Sequence, residues 1–185
     1  MMNISRYHLL QAGKIPPPPC PPSCCASTGE IVSNPGFEGS FSAQGVPDGW
    51  TGTNVQQETV QQKIHSGLKA VVLGANPSND ASLSQNITDT GLFLPGCQYN
   101  FSFFAGGSLG NGSTFTGSVV FLDTGGNELG RTNITIVDQS ITAGVGNYYY
   151  VITPTAPANL ARIRVEFVKD GVGQVDLDDV SLSIA

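Results

Sequence analysis

The sequence predicts an all-β protein, and three observations carry that expectation. Only 12% of the 185 residues are charged, about half the usual share, while 23 Gly and 12 Pro make up almost a fifth of the chain. Short β-prone runs alternate with turn clusters at regular spacing, and no window holds a helical hydrophobic period. With 39% hydrophobic residues the chain still has enough apolar material for one core. A nucleic-acid partner is excluded at the same stage: 8 basic residues against 14 acids, net −6, do not supply the clustered Lys and Arg that phosphates need.

Taken in order, the first 27 residues stand apart from the rest. Six of the prolines lie between Pro16 and Pro22, and Cys20, Cys24 and Cys25 fall in or beside that stretch. The leader carries only Arg6 and Lys14, whereas all 14 acids follow Thr28, so a basic leader precedes an acidic body. Residues 16–22 cannot donate backbone hydrogen bonds at proline and are expected to form an extended polyproline spacer. Ahead of it, Ile4, Tyr7, Leu9 and Leu10 form a short semi-apolar segment suited to docking on another subunit, for instance by adding a strand to an open sheet edge; a tail without fixed structure is the alternative. A classical signal peptide is not expected, because His8 interrupts the apolar run and Gln11 follows it. No stretch approaches the roughly 20 apolar residues of a membrane span.

Residues 28–185 are expected to form the folded domain. Candidate strands are 30–33, 55–60, 70–73, 83–87, 98–104, 117–122, 133–137, 148–153, 161–168 and 174–184. Between them stand turn signals such as Asn34-Pro35-Gly36, Pro47-Asp48-Gly49, Pro95-Gly96 and Gly125-Gly126-Asn127. The plainest strand is 161–168, where Ile163, Val165 and Phe167 alternate with Arg162, Arg164 and Glu166. Some ten short strands predict a jelly-roll β-sandwich, preceded by an extended Pro/Cys-rich N-terminal connector.

Two resemblances refine this expectation. The segment 31–38, with Asn34-Pro35-Gly36-Phe37-Glu38, then Pro47-Asp48-Gly49-Trp50, His65-Ser66-Gly67-Leu68-Lys69-Ala70, and Val175 to Leu182 with Asp178-Asp179-Val180, resembles the jelly-roll carbohydrate-binding modules. That resemblance spans residues 30–183 and implies a structural calcium ion held by Glu38 and Asp179; two strand-end acids facing water are the alternative. The whole chain, a Pro/Cys-bearing leader joined to a Gly/Thr/Asn-rich β-body, resembles subunits of endospore appendages and exosporium surface proteins of spore-forming bacilli. In that group an N-terminal connector links one jelly-roll subunit to the next.

Chemistry-bearing motifs are few. Gly106-Gly107-Ser108-Leu109-Gly110 matches Gly-x-Ser-x-Gly, but no helix is expected after it and both histidines, His8 and His65, lie upstream, so it reads as a glycine-rich loop. Asp176, Asp178 and Asp179 have no second carboxylate set fixed opposite them by the sequence, and no enzymatic activity is expected. None of the intramolecular pairings of Cys20, Cys24, Cys25 and Cys97 looks natural, so these cysteines are candidates for intersubunit disulfides, with free thiols or a metal as alternatives. Cys97 is either a small buried hydrophobe or the body's partner for those thiols.

The expectation is therefore a structural subunit of an extracellular or spore-surface fibre. Other copies of itself are its partners, polymerised head to tail, and a spore-surface anchor protein is a further one. The opposite charges of leader and body favour that encounter. The alternative is a non-catalytic carbohydrate-binding module using Trp50, Tyr148 and Tyr150, with Trp50 also suited to core or rim packing.

Overall fold

The structure, a computed structural model, describes residues 25–26, 29–144 and 146–185. Ile4, Tyr7, Leu9 and Leu10, expected to dock on another subunit, the thiols of Cys20 and Cys24, and the proline spacer lie outside the described residues. Ten strands appear in chain order: β1 Thr51–Thr53, β2 Val55–Glu58, β3 Ala70–Leu73, β4 Ala81–Ile87, β5 Tyr99–Leu109, β6 Thr114–Leu122, β7 Glu128–Val137, β8 Asn147–Ile152, β9 Arg162–Asp170 and β10 Gly173–Ile184. They form two five-stranded antiparallel sheets, ordered β1-β4-β9-β6-β7 and β2-β3-β10-β5-β8. The fold is the expected all-β jelly-roll sandwich. Among the described residues no helix is long and apolar enough to cross a membrane.

Alternation makes this architecture. In β9, Ile163, Val165 and Phe167 are fully buried while Arg162, Arg164 and Glu166 between them are partly exposed. Facing them from the other sheet are Phe101 and Phe103 of β5, and Phe167 meets Phe103 edge-on at 5.2 Å and Phe115 of β6 in a stack at 5.8 Å. Burying side chains of this size contributes about 1.5–3 kcal/mol each. Gly117 of β6 is explained by the same cluster, since a Cβ there would stand 2.7 Å from the Phe103 ring.

Three expectations change at the edges of the elements. Residues 30–33 are not a strand: the Glu30 carboxylate accepts the Val32 and Leu182 amides, and Ile31 donates to the Leu182 carbonyl at 2.9 Å, so the segment is pinned singly rather than laddered. Residues 106–109 are not a loop but the end of β5. Glycine there lets two backbones come close, since a Cβ on Gly106 would be 2.3 Å from the Gly144 carbonyl oxygen and one on Gly107 2.3 Å from that of Gln174. β1, too short and polar to stand out in the sequence, pairs with β4.

Cys25 and Cys97 form a disulfide within the chain, with Cα atoms 5.7 Å apart and a separation of 72 positions in sequence. This corrects their assignment to intersubunit bridges: the fold brings Cys97, ahead of β5, beside the entry of the chain into the body. In the chain-entropy model a loop of this length stabilises the fold by about 4 kcal/mol, and such a bond persists in an oxidising, extracellular-type environment.

Candidate functional site

The outward face of the β2-β3-β10-β5-β8 sheet carries both the buried acids and the exposed aromatics. On β10, Val175 and Leu177 point into the core, which turns Asp176 and Asp178 to the other face; both are nonetheless buried, at 4% and 2% exposed. What covers them is the segment 59–69, with one 3-10 turn at Gln61–Lys63. The Asp178 carboxylate accepts the His65 amide at 2.9 Å and the Ser66 amide at 3.0 Å through one oxygen, and the Asp179 amide at 2.8 Å through the other. Lys63 reaches Glu58 at 3.1 Å and Asp176 at 3.5 Å. Asp179, left-handed at φ 46° where the β10 register shifts against β5, meets His65 Nδ1 at 2.6 Å and accepts the Ser66 hydroxyl at 2.8 Å. The segment is thus a strap held to the sheet by four carboxylates.

Burial dominates the proton affinities. It pushes Asp176 up to about 6, with the Lys63 ammonium opposing and Glu58 adding to the rise. It also pushes Asp178 up to about 6, against the amide donors of the strap and with Asp179 assisting. Burial raises Glu58 too, but the Val60 amide, Lys63 and the Thr59 amide outweigh it and leave the carboxyl below its usual range. The sequence fixes no second carboxylate opposite the Asp176 group, but the fold supplies one, Glu58, on the other side of one ammonium. All three acids are engaged in holding the strap.

Beyond the strap the face becomes aromatic and open. The His65 ring stacks on Phe104 with centroids 3.3 Å apart, Phe104 lies 5.2 Å from Tyr148, and Tyr148 lies 6.1 Å from Tyr150 with their planes 16° apart. Register places these residues. Asp178 pairs with Phe104 and Phe104 with Tyr148; Ser181 pairs with Ser102 and Ser102 with Tyr150; Ser183 pairs with Asn100 and Asn100 with Ile152. Tyr148, Tyr150 and Ile152 are 55%, 69% and 50% exposed, while Tyr149 turns inward against Phe103. Rings and short polar side chains therefore share one surface. On the far side of the strap lies a depression of about 290 Å³ lined by Lys63, Asp176, Ser108 and Gln174.

Of the sequence-derived candidates, Tyr148 and Tyr150 are brought together on this face. Trp50 is not: it is 7% exposed, packed between Phe37 at 5.4 Å and Phe167 at 6.2 Å, and it belongs to the core. A larger depression, about 520 Å³, is formed by the 40–52 segment that includes Trp50, but the buried indole offers it no stacking face. Phe104, Asn100, Ser102 and the strap were not foreseen as a site. His65, one of two histidines and beside a Ser-Gly pair, was the available signal; no signal linked it to Phe104.

Glu38 and Asp179 do not fit the calcium ion that the resemblance implies. Glu38 Oε1 accepts the Leu68 and Lys69 amides at 2.8 and 2.9 Å, and both Asp179 oxygens are engaged by His65 and Ser66. Among the described residues, no group of three or more His, Cys, Asp or Glu is placed to hold a metal.

No protein-family model matches the chain, and no curated protein does. Solved structures do match. The enzymatically active domain of bacteriophage CBA120 tailspike protein 4 is 20% identical with a TM-score of 0.61; the match covers 84% of this chain but only 21% of that one, so this chain spans about a fifth of that domain's length. TmCBM61, solved with β-1,4-galactotriose, is 23% identical with a TM-score of 0.54 over 83% of this chain and 97% of that one. A family 16 carbohydrate-binding module is 17% identical with a TM-score of 0.60 over 82% and 98%. At these identities the likeness establishes that the chain has the jelly-roll fold of carbohydrate-binding modules.

Proposed function

We propose that the protein binds carbohydrate on the outward face of the β2-β3-β10-β5-β8 sheet, with Tyr148 and Tyr150 as the stacking platform. The observation that carries this reading is the pair itself, two nearly parallel rings more than half exposed on one strand. A tyrosine gives a rigid, amphipathic face at small entropic cost. A pyranose ring has apolar C–H faces to lay on such rings and hydroxyls to bond at its rim, where Asn100, Ser102 and Ser181 stand on neighbouring strands. The galactotriose complex of TmCBM61 is consistent with that class of ligand on this fold. Affinity electrophoresis on neutral polysaccharides, beginning with β-1,4-galactan and xylan, tests it. Tyr148→Ala and Tyr150→Ala each weaken binding about tenfold or more; retention of the wild type by no sugar sinks the reading.

A second reading, a head-to-tail fibre subunit at a spore or cell surface, is favoured by one observation. β8 is an edge strand, bonded only to β5, and its Tyr148, Tyr150 and Ile152 are exposed. Such an edge is open to strand addition by residues 1–15 of a second copy. Electron microscopy of the full chain and of a chain lacking residues 1–15 separates the outcomes. Filaments lost on deletion support this reading, while filaments that survive deletion, or none from the full chain, remove it.

A further inference from the structure

The joint between the turn at 34–39 and the loop at 66–69 already contains a cation. Asn34 and Phe37 are left-handed, at φ 50° and 56°, and the turn sends Phe37 into the core while Glu38 faces the loop. Lys69 then reaches back from the start of β3, donating to the Glu38 carbonyl at 3.0 Å and the Gly39 carbonyl at 2.9 Å. In the opposite direction the Glu38 carboxylate receives the Leu68 and Lys69 amides. The two segments are cross-linked both ways, by a carboxylate on two amides and an ammonium on two carbonyls.

We propose that the Lys69 ammonium is the resident cation of this joint and takes the place of a divalent ion, so that the body folds and holds its loops independently of calcium. Calcium takes six to eight oxygens at about 2.3–2.6 Å. Here two backbone oxygens of the turn are bound to Nζ, and a calcium ion sharing them would sit against a like charge. No gap remains between carboxylate and loop either: Gly67 lies so close that a Cβ on it would be 2.2 Å from Glu38 Oε1. Asp179, beside the same turn with Oδ1 3.2 Å from where a Cβ on Gly36 would lie, is committed to His65 and Ser66. A tethered ammonium needs only two or three acceptors and carries no separate binding equilibrium, whereas a metal site depends on the free ion.

Thermal melting of the full chain, with a chelator and with excess calcium chloride, tests this. The wild type melts at the same temperature in both. A resident calcium site loaded at about a hundred times its Kd would instead separate the two curves by roughly 5–10 °C, and that separation overturns the proposal. Lys69→Met lowers the melting temperature by about 4–8 °C in both media, while Lys69→Arg, which keeps the charge, recovers part of the loss. A Lys69→Met protein as stable as the wild type also overturns it. Should Lys69→Met fail to fold, the wild-type comparison decides alone, joined by calorimetric titration: stoichiometric calcium binding that is lost in Glu38→Gln counts against the proposal.

Discussion

The two outward faces of the sandwich carry charges in opposite ways. On the β1-β4-β9-β6-β7 sheet, Arg131 bonds Glu128 through two nitrogens and Glu166 through a third, and Arg164 bonds Glu166 at 2.7 Å, all in contact with water. On the other sheet, Glu58, Asp176 and Asp178 are nine-tenths or more buried under a strap made of the chain itself. A solvated ladder adds little to stability. A covered cluster ties a segment down, and the strap's His65 then extends the aromatic row that begins on β8. The acidic character read from the sequence is therefore in part structural: some of the acids are internal fastenings.

The largest test of that contrast is Asp178→Ala. It strips three amides of their acceptor, lowers stability by about 3–5 kcal/mol, and is read by urea unfolding; a loss no larger than that of a ladder residue would erase the distinction. Next comes pH. The Asp176 and Asp178 carboxyls are raised from 3.8 to about 6 in the folded protein. The folded state therefore holds protons that the unfolded chain has released, and their contribution is complete below 3.8 and lost as pH rises through about 6. Glu58, lowered, acts in the other direction below its usual 4.5. The melting temperature is accordingly about 4–8 °C higher at pH 5 than at pH 7, and Asp178→Asn flattens that rise. The smallest effect is on the ladder, where Arg131→Ala costs no more than about 1 kcal/mol, less at high salt; a larger loss would show that this face, too, is structural.

Legibility in the sequence followed how local the cause was. Strand 70–73 is read to the residue, because the apolar run Ala70 to Leu73 lies between Lys69 and Gly74. Nine of the ten predicted strands correspond to observed ones, with ends displaced where glycine let β5 run on. The failure at 30–33 has the opposite cause: Ile31 and Val32 are β-prone and buried, but the Glu30 side chain replaces the ladder. The site was half legible. Alternation alone put Tyr148 and Tyr150 on one face, whereas Trp50, the residue type that most invites a sugar, went to the core because the Phe37 turn carries its neighbour inward. Pairings such as Cys25 with Cys97, or His65 with Phe104, depend on which strands become neighbours, and spacing along a chain does not encode that.

The disulfide has a mechanical meaning. Tension applied between residue 25 and residue 185 crosses from Cys25 to Cys97 through sulfur, so the 72-residue interval that holds β1 to β4 drops out of the load path. The force then arrives two residues before β5, beside Ala185, whose amide donates to the Gln98 carbonyl at 2.9 Å. Both points of attachment lie at one corner of the sandwich. A chain pulled through them would carry the body as a pendant to one side of the line of force, with the tyrosine face unloaded, and a reductant would reroute the same pull through β1 to β4.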